Sequence, residues 1–267
     1  MSCPAPRAGS PDEFADWDFA DCRSDDDDNE EQEEQEEESG AEDSDDMVED
    51  EEEESEEEEE VKTHADHKAD GNACYKAKDY RAAIAHYTLA VQLAETALAA
   101  APSDPPLALL AAQYYGNRSA AHSMLLRHRD VIDDCAAALR HDPSMARAHF
   151  RAARAQVLLG RCGRADASFT AGLLLDPGNA AAIGERGEAR GSLRRLELAR
   201  RCLAKSESDG GAGDARQSLA QADAALAVSP NWNEAKLVRA GALAALGRSE
   251  EGYSATTSLL RAGAGEG

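Results

Sequence analysis

Lys68 and Asn72 stand four residues apart, Arg147 and Arg151 stand four apart, and Asn117 lies between the two pairs. On a helix a spacing of four puts two side chains on one face, one turn from each other. Brought side by side, these residues offer three cations and two amides. Asn donates neutral hydrogen bonds, while Lys and Arg donate charge-assisted ones worth roughly 1.5–3 kcal/mol each. Such a set is the chemistry of an anion receptor, suited to a pair of carboxylates. No nucleophile–base pair, phosphate-binding loop or metal set accompanies it, so an enzyme is not expected, and neither is a cofactor.

The elements that must position these donors are written in a repeat. Asp142-Pro143 and Asp176-Pro177 mark two repeat ends 34 residues apart, and Ser229-Pro230 marks a later one. A 34-residue period is that of tetratricopeptide helical hairpins, which stack into a right-handed α-solenoid. With the closing proline at position 32, the third unit has Ala153 at position 8, Gly160 at 15, Ala165 at 20, Phe169 at 24 and Gly172 at 27. In the second unit Ser119 is at 8 and Ala138 at 27; in the first, Gly71, Ala83, Tyr87 and Ala90 take 8, 20, 24 and 27. Small residues are needed where helices cross closely, and the aromatic fills the gap between units. The five donors fall on the first helices of the three units, where stacking aligns them on one concave side.

The pattern resembles the carboxylate clamp of tetratricopeptide co-chaperones. Lys68-Ala-Asp-Gly-Asn72, Asn117-Arg118-Ser119-Ala120-Ala121 and Arg147-Ala-His-Phe-Arg151 match its three segments, with Arg147 where Lys is common. The resemblance implies a non-enzymatic adaptor that holds the C-terminal Glu-Glu-Val-Asp of heat-shock proteins 70 and 90. Tyr114-Tyr115-Gly116-Asn117-Arg118 and the long helix after Pro177 are similar to a DnaJ-type co-chaperone with two such modules. No His-Pro-Asp tripeptide, the mark of a J domain, occurs in the 267 residues. Two other readings stay open: a scaffold for another acidic ligand, and histone-chaperone-like binding of basic proteins by the acidic tail.

That tail is the other signal. Residues 1–60 hold 31 acids against Arg7 and Arg23, a charge of −29, while the remainder, with 26 bases and 22 acids, is at +4. Too apolar-poor to bury a core, residues 1–61 are expected to be disordered. A three-repeat module is expected over 62–179, a long bridging helix over 180–206, and a partial second module over 214–262. The first unit's second helix should run on to about Ala101, followed by an insertion at Pro102–Pro106. Residues 206–214, rich in glycine, should form a flexible break. The six scattered cysteines and the lack of a secretory signal predict reduced thiols in the cytosol or nucleus. Neither a membrane nor nucleic acid is an expected partner. His64, His67, His122, His128 and His141 read as surface or groove-wall residues rather than metal ligands.

Overall fold

A computed structural model describes residues 62–102, 104–253 and 257. The acidic stretch 1–61, with its predicted disorder, lies outside them. The described residues belong to one compact unit that begins at Thr63, apart from Lys62. They form α1 (His64–Lys76), α2 (Tyr80–Ala100), α3 (Pro105–Met124), α4 (His128–His141), α5 (Ala146–Leu158), α6 (Cys162–Leu175), α7 (Ala180–Asp209), α8 (Ala212–Val228) and α9 (Asn233–Ala245). Every helix packs on the next in the chain, as consecutive antiparallel hairpins must.

Local chemistry fixes where the helices begin. The Thr63 hydroxyl accepts from Asp66 N–H and the Asp66 carboxylate accepts from Thr63 N–H, a reciprocal cap that starts α1. Asp79 and Asp104 cap α2 and α3 in the same sense, accepting from Ala82 and Leu107 N–H. In the turn at Asp176-Pro177, Asn179 caps α7 through Ala182 N–H while donating to the Asp176 carboxylate.

The small positions lie where the helices cross. A Cβ on Gly71 would sit 2.6 Å from the Tyr87 ring, and one on Gly172 would sit 2.5 Å from the Phe150 ring. Ala83, Ala90, Ala138, Ala153 and Ala165 are fully buried, as is Phe169, and Tyr87 nearly so. Gly160 needs its freedom twice: its φ is +72°, and a Cβ there would lie 2.4 Å from the Trp232 Cα.

Two expectations change. The insertion before the second repeat is helical: Pro105 and Pro106 occupy the first turn of α3, where proline lacks no needed N–H. With α2 running to Ala100, both helices are lengthened. Their extra turns bury a core of their own from Val91, Ala94, Ala111 and Tyr114, with Leu98, Leu107 and Leu110 against it. The glycine-rich segment is likewise no open break. α7 continues to Asp209, Gly210 ends it at φ +68°, and α8 starts at Ala212. This αL cap followed by a Lys205–Asp214 ion pair (3.2 Å) makes a tight corner. The turn after α8 packs back on the third hairpin: Cys162 Sγ lies 3.3 Å from Ser229 Oγ, and Trp232 joins Cys162, Leu196 and Ala222 in one core.

Candidate functional site: the first helices of three hairpins

The first helices of successive hairpins are α1, α3, α5 and α7, and side chains tie each to its neighbour. His64 Nδ1 on α1 meets the Tyr114 hydroxyl on α3 at 2.8 Å. Arg151 on α5 reaches back to α3, and Arg154 on α5 pairs with Glu185 on α7 at 2.9 Å. The predicted donors are carried by this row: Lys68 and Asn72 on α1, Asn117 on α3, Arg147 and Arg151 on α5.

Their settings differ. Asn72 is half-buried, and its Oδ1 accepts from the Tyr87 hydroxyl at 2.8 Å. That bond fixes the amide and turns its NH₂, a donor only, away from the tyrosine. Asn117 is half-buried, with no side-chain hydrogen bond to another described residue. Lys68 is half-buried and Arg147 exposed. Arg151 is 8% exposed, and its Nη1 donates to the Gly116 carbonyl (2.8 Å) and to Ser119 Oγ (2.9 Å). These acceptors are neutral, so the guanidinium is held in place without being neutralised by them. Arg151 is thereby brought to the residue next to Asn117.

The segment Asn117–Ala121 now separates into roles. Ser119, fully buried, donates to Gly116 O at 2.7 Å and accepts from Arg151. Arg118 turns away to form a fork with Asp134, Nε–Oδ2 3.0 Å and Nη2–Oδ1 2.6 Å, and also donates to Thr88 Oγ1. Its guanidinium lies 5.3 Å from the centre of the Tyr115 ring. Arg118 thus locks α2, α3 and α4 behind the row of donors. Beside it, His122 is buried, 3.7 Å from both Asp130 and Asp134. Burial holds its pKa below the usual value, against the pull of the two carboxylates.

Sequence reasoning missed these supports. Tyr87 was legible as an interhelical filler but not as the partner of Asn72, and nothing in the spacing linked Arg118 to Asp134. It also treated the histidines one by one. In the structure His67 and Asp70, one turn apart on α1, meet His86 of α2. Among the described residues, Cys74, Cys135, Cys162 and Cys202 form no disulfide.

No protein-family model matches the chain. It is 33% identical over 203 residues to the human DnaJ homolog subfamily C member 7, across 76% of this chain and 37% of that protein. The crystal structure of the P58(IPK) TPR domain superposes over 74% of this chain and 50% of its own, with a TM-score of 0.54 at 14% identity. The chain carries a tetratricopeptide-repeat domain. The domain is also 32% identical over 112 residues to the Hsp70-Hsp90 organizing protein of Triticum aestivum, across 42% of this chain and 17% of that protein. The chain spans little more than a third of the length of the first curated relatives it matches. Among the described residues no helix is long and apolar enough to cross a membrane.

Proposed function

We propose that this tetratricopeptide protein is a non-enzymatic co-chaperone adaptor that binds the C-terminal Glu-Glu-Val-Asp peptide of heat-shock protein 70, 90 or both. Lys68, Asn72, Asn117, Arg147 and Arg151 are its carboxylate-binding residues. The observation that carries the reading is the placement of all five on three successive first helices, with Asn72 and Arg151 already oriented by their own hydrogen bonds. Orientation before binding lowers the entropy cost of gripping a flexible peptide. The likeness to DnaJ and Hsp70-Hsp90 organizing proteins supports the class of partner.

In this arrangement the terminal carboxylate and the last side-chain carboxylate each take one amide and at least one cation. Removing one carboxylate leaves cations desolvated and unpaired. An Hsp C-terminal peptide with a free carboxylate should therefore bind the full chain at least tenfold more tightly than its C-terminally amidated form, by calorimetry. Equal binding of the two forms would point to a scaffold that reads some other feature of its ligand. Salt-labile capture of histones, lost on deletion of residues 1–60, would favour the tail reading instead.

A further inference from the structure

The first hairpin holds a second constellation, on a different face of α1 from Lys68 and Asn72. His67 and Asp70 are three apart on α1, and His86 comes from α2 opposite. One ligand atom from each lies within 4.8 Å of the others. His86 Nδ1 is 3.8 Å from Asp70 Oδ2, too long for a hydrogen bond. The two imidazole rings are 5.8 Å apart at 35°. His67 Nδ1 and His86 Nδ1 are both shielded from solvent and have no hydrogen-bond partner. Two buried, unsatisfied imidazole nitrogens at one spot are costly and need an explanation.

We propose that His67, Asp70 and His86 bind a divalent zinc ion across the α1–α2 hairpin. A tetrahedral zinc at about 2.0–2.1 Å from each ligand sets the donor atoms roughly 3.4 Å apart. The three ligand atoms lie within 4.8 Å of one another, and the His86–Asp70 pair at 3.8 Å is already near that spacing. Two imidazoles and one carboxylate select zinc over calcium or magnesium, which take oxygen ligands. All three residues are only half-buried, so an ion can enter and a water can complete the coordination. The ion would staple α1 to α2, the two helices of the first hairpin. No residue of the peptide-binding proposal is a ligand, so the two proposals stand or fall separately.

The test is zinc titration calorimetry of the full chain, of His86→Gln and of His67→Gln, with circular dichroism to confirm helix content. The 31 acids of the tail contribute the same weak background in all three. The parent should show one zinc equivalent above that background, and each variant should lose at least tenfold in affinity. Zinc should raise the melting temperature of the parent and not of the variants. Cobalt substituted for zinc should give a visible absorption spectrum without a thiolate charge-transfer band. If His86→Gln fails to fold, His67→Gln carries the comparison. Isotherms of parent and folded variants that coincide, or a thiolate band that assigns the metal to cysteine, would overturn the site.

Discussion

Both halves of the helical stack are rich in cations, yet they use them differently. Along α7 to α9 the arginines meet carboxylates: Arg186 and Arg190 share Asp166, Arg200 pairs with Glu234, and Arg239 with Asp223. Two arginines even hold the Asp166 carboxyl below its usual pKa; burial there pulls upward, and their hydrogen bonds outweigh it. Along α3 and α5 two arginines also meet carboxylates, Arg118 with Asp134 and Arg154 with Glu185, but a tyrosine hydroxyl orients Asn72, and a carbonyl and a serine hydroxyl hold Arg151 Nη1. The difference teaches that a count of arginines does not locate a binding face. What differs is the kind of group that positions each cation: Arg118 is held by a carboxylate, whereas Arg151 Nη1 is held by a carbonyl and a hydroxyl.

The largest effect should come from breaking the support behind the donors. Asp134→Ala strands the mostly buried Arg118 fork, and losing one partner of such a pair costs about 3 kcal/mol. The urea midpoint should fall accordingly. A fall as small as that of an exposed pair would mean that the two halves of the stack do not differ in this respect. Next comes Arg151→Ala. It removes a proposed carboxylate donor and also the link from α5 to α3, so stability and peptide affinity should fall together, each by about 2 kcal/mol or more. Full stability with lost binding would show that its bonds to Gly116 and Ser119 contribute little.

Arg200→Ala sharpens the contrast from the other side. Its pair with Glu234 is exposed, so the stability cost should stay below about 1 kcal/mol, with peptide affinity unchanged. The smallest effect concerns pH. Burial holds His122, His128 and His149 below the ordinary histidine pKa. The unfolded chain therefore binds more protons than the folded one as pH falls through about 6.5, and stability is lost on acidification. Urea unfolding should show a lower midpoint at about pH 5.5 than at about pH 7.5, and His122→Gln should flatten that dependence.

The hairpins were legible in sequence because the period, the small crossing residues and the Asp-Pro turns are local or repeat at fixed intervals. Gly71, Ala83 and Phe169 announce their roles by position alone. The proposed carboxylate-binding residues were legible as types in register, which places them on helices but says nothing of their partners. Arg118 and Arg151 are the same residue in sequence; only the crossing of α3 with α4 and α5 gives one a carboxylate and the other a carbonyl. Pro105-Pro106 and Gly210-Gly211 misled for a related reason. Proline fits the first turn of a helix and glycine the αL cap as readily as either breaks a helix, and tertiary packing decides which. The approach of His86 to His67 and Asp70 needs the hairpin closed before it exists at all.

The most direct measurement sets two charge-matched double variants of the full chain side by side. Lys68→Ala with Arg147→Ala removes two cations from α1 and α5; Arg186→Ala with Arg190→Ala removes two from α7. Each is titrated by calorimetry with an Hsp C-terminal peptide ending in free Glu-Glu-Val-Asp. The first pair should lose about a hundredfold in affinity, two charge-assisted bonds' worth, and the second should bind within about twofold of the parent. Equal losses in both, or parent-like binding by the first, would contradict the assignment of the peptide site to α1, α3 and α5.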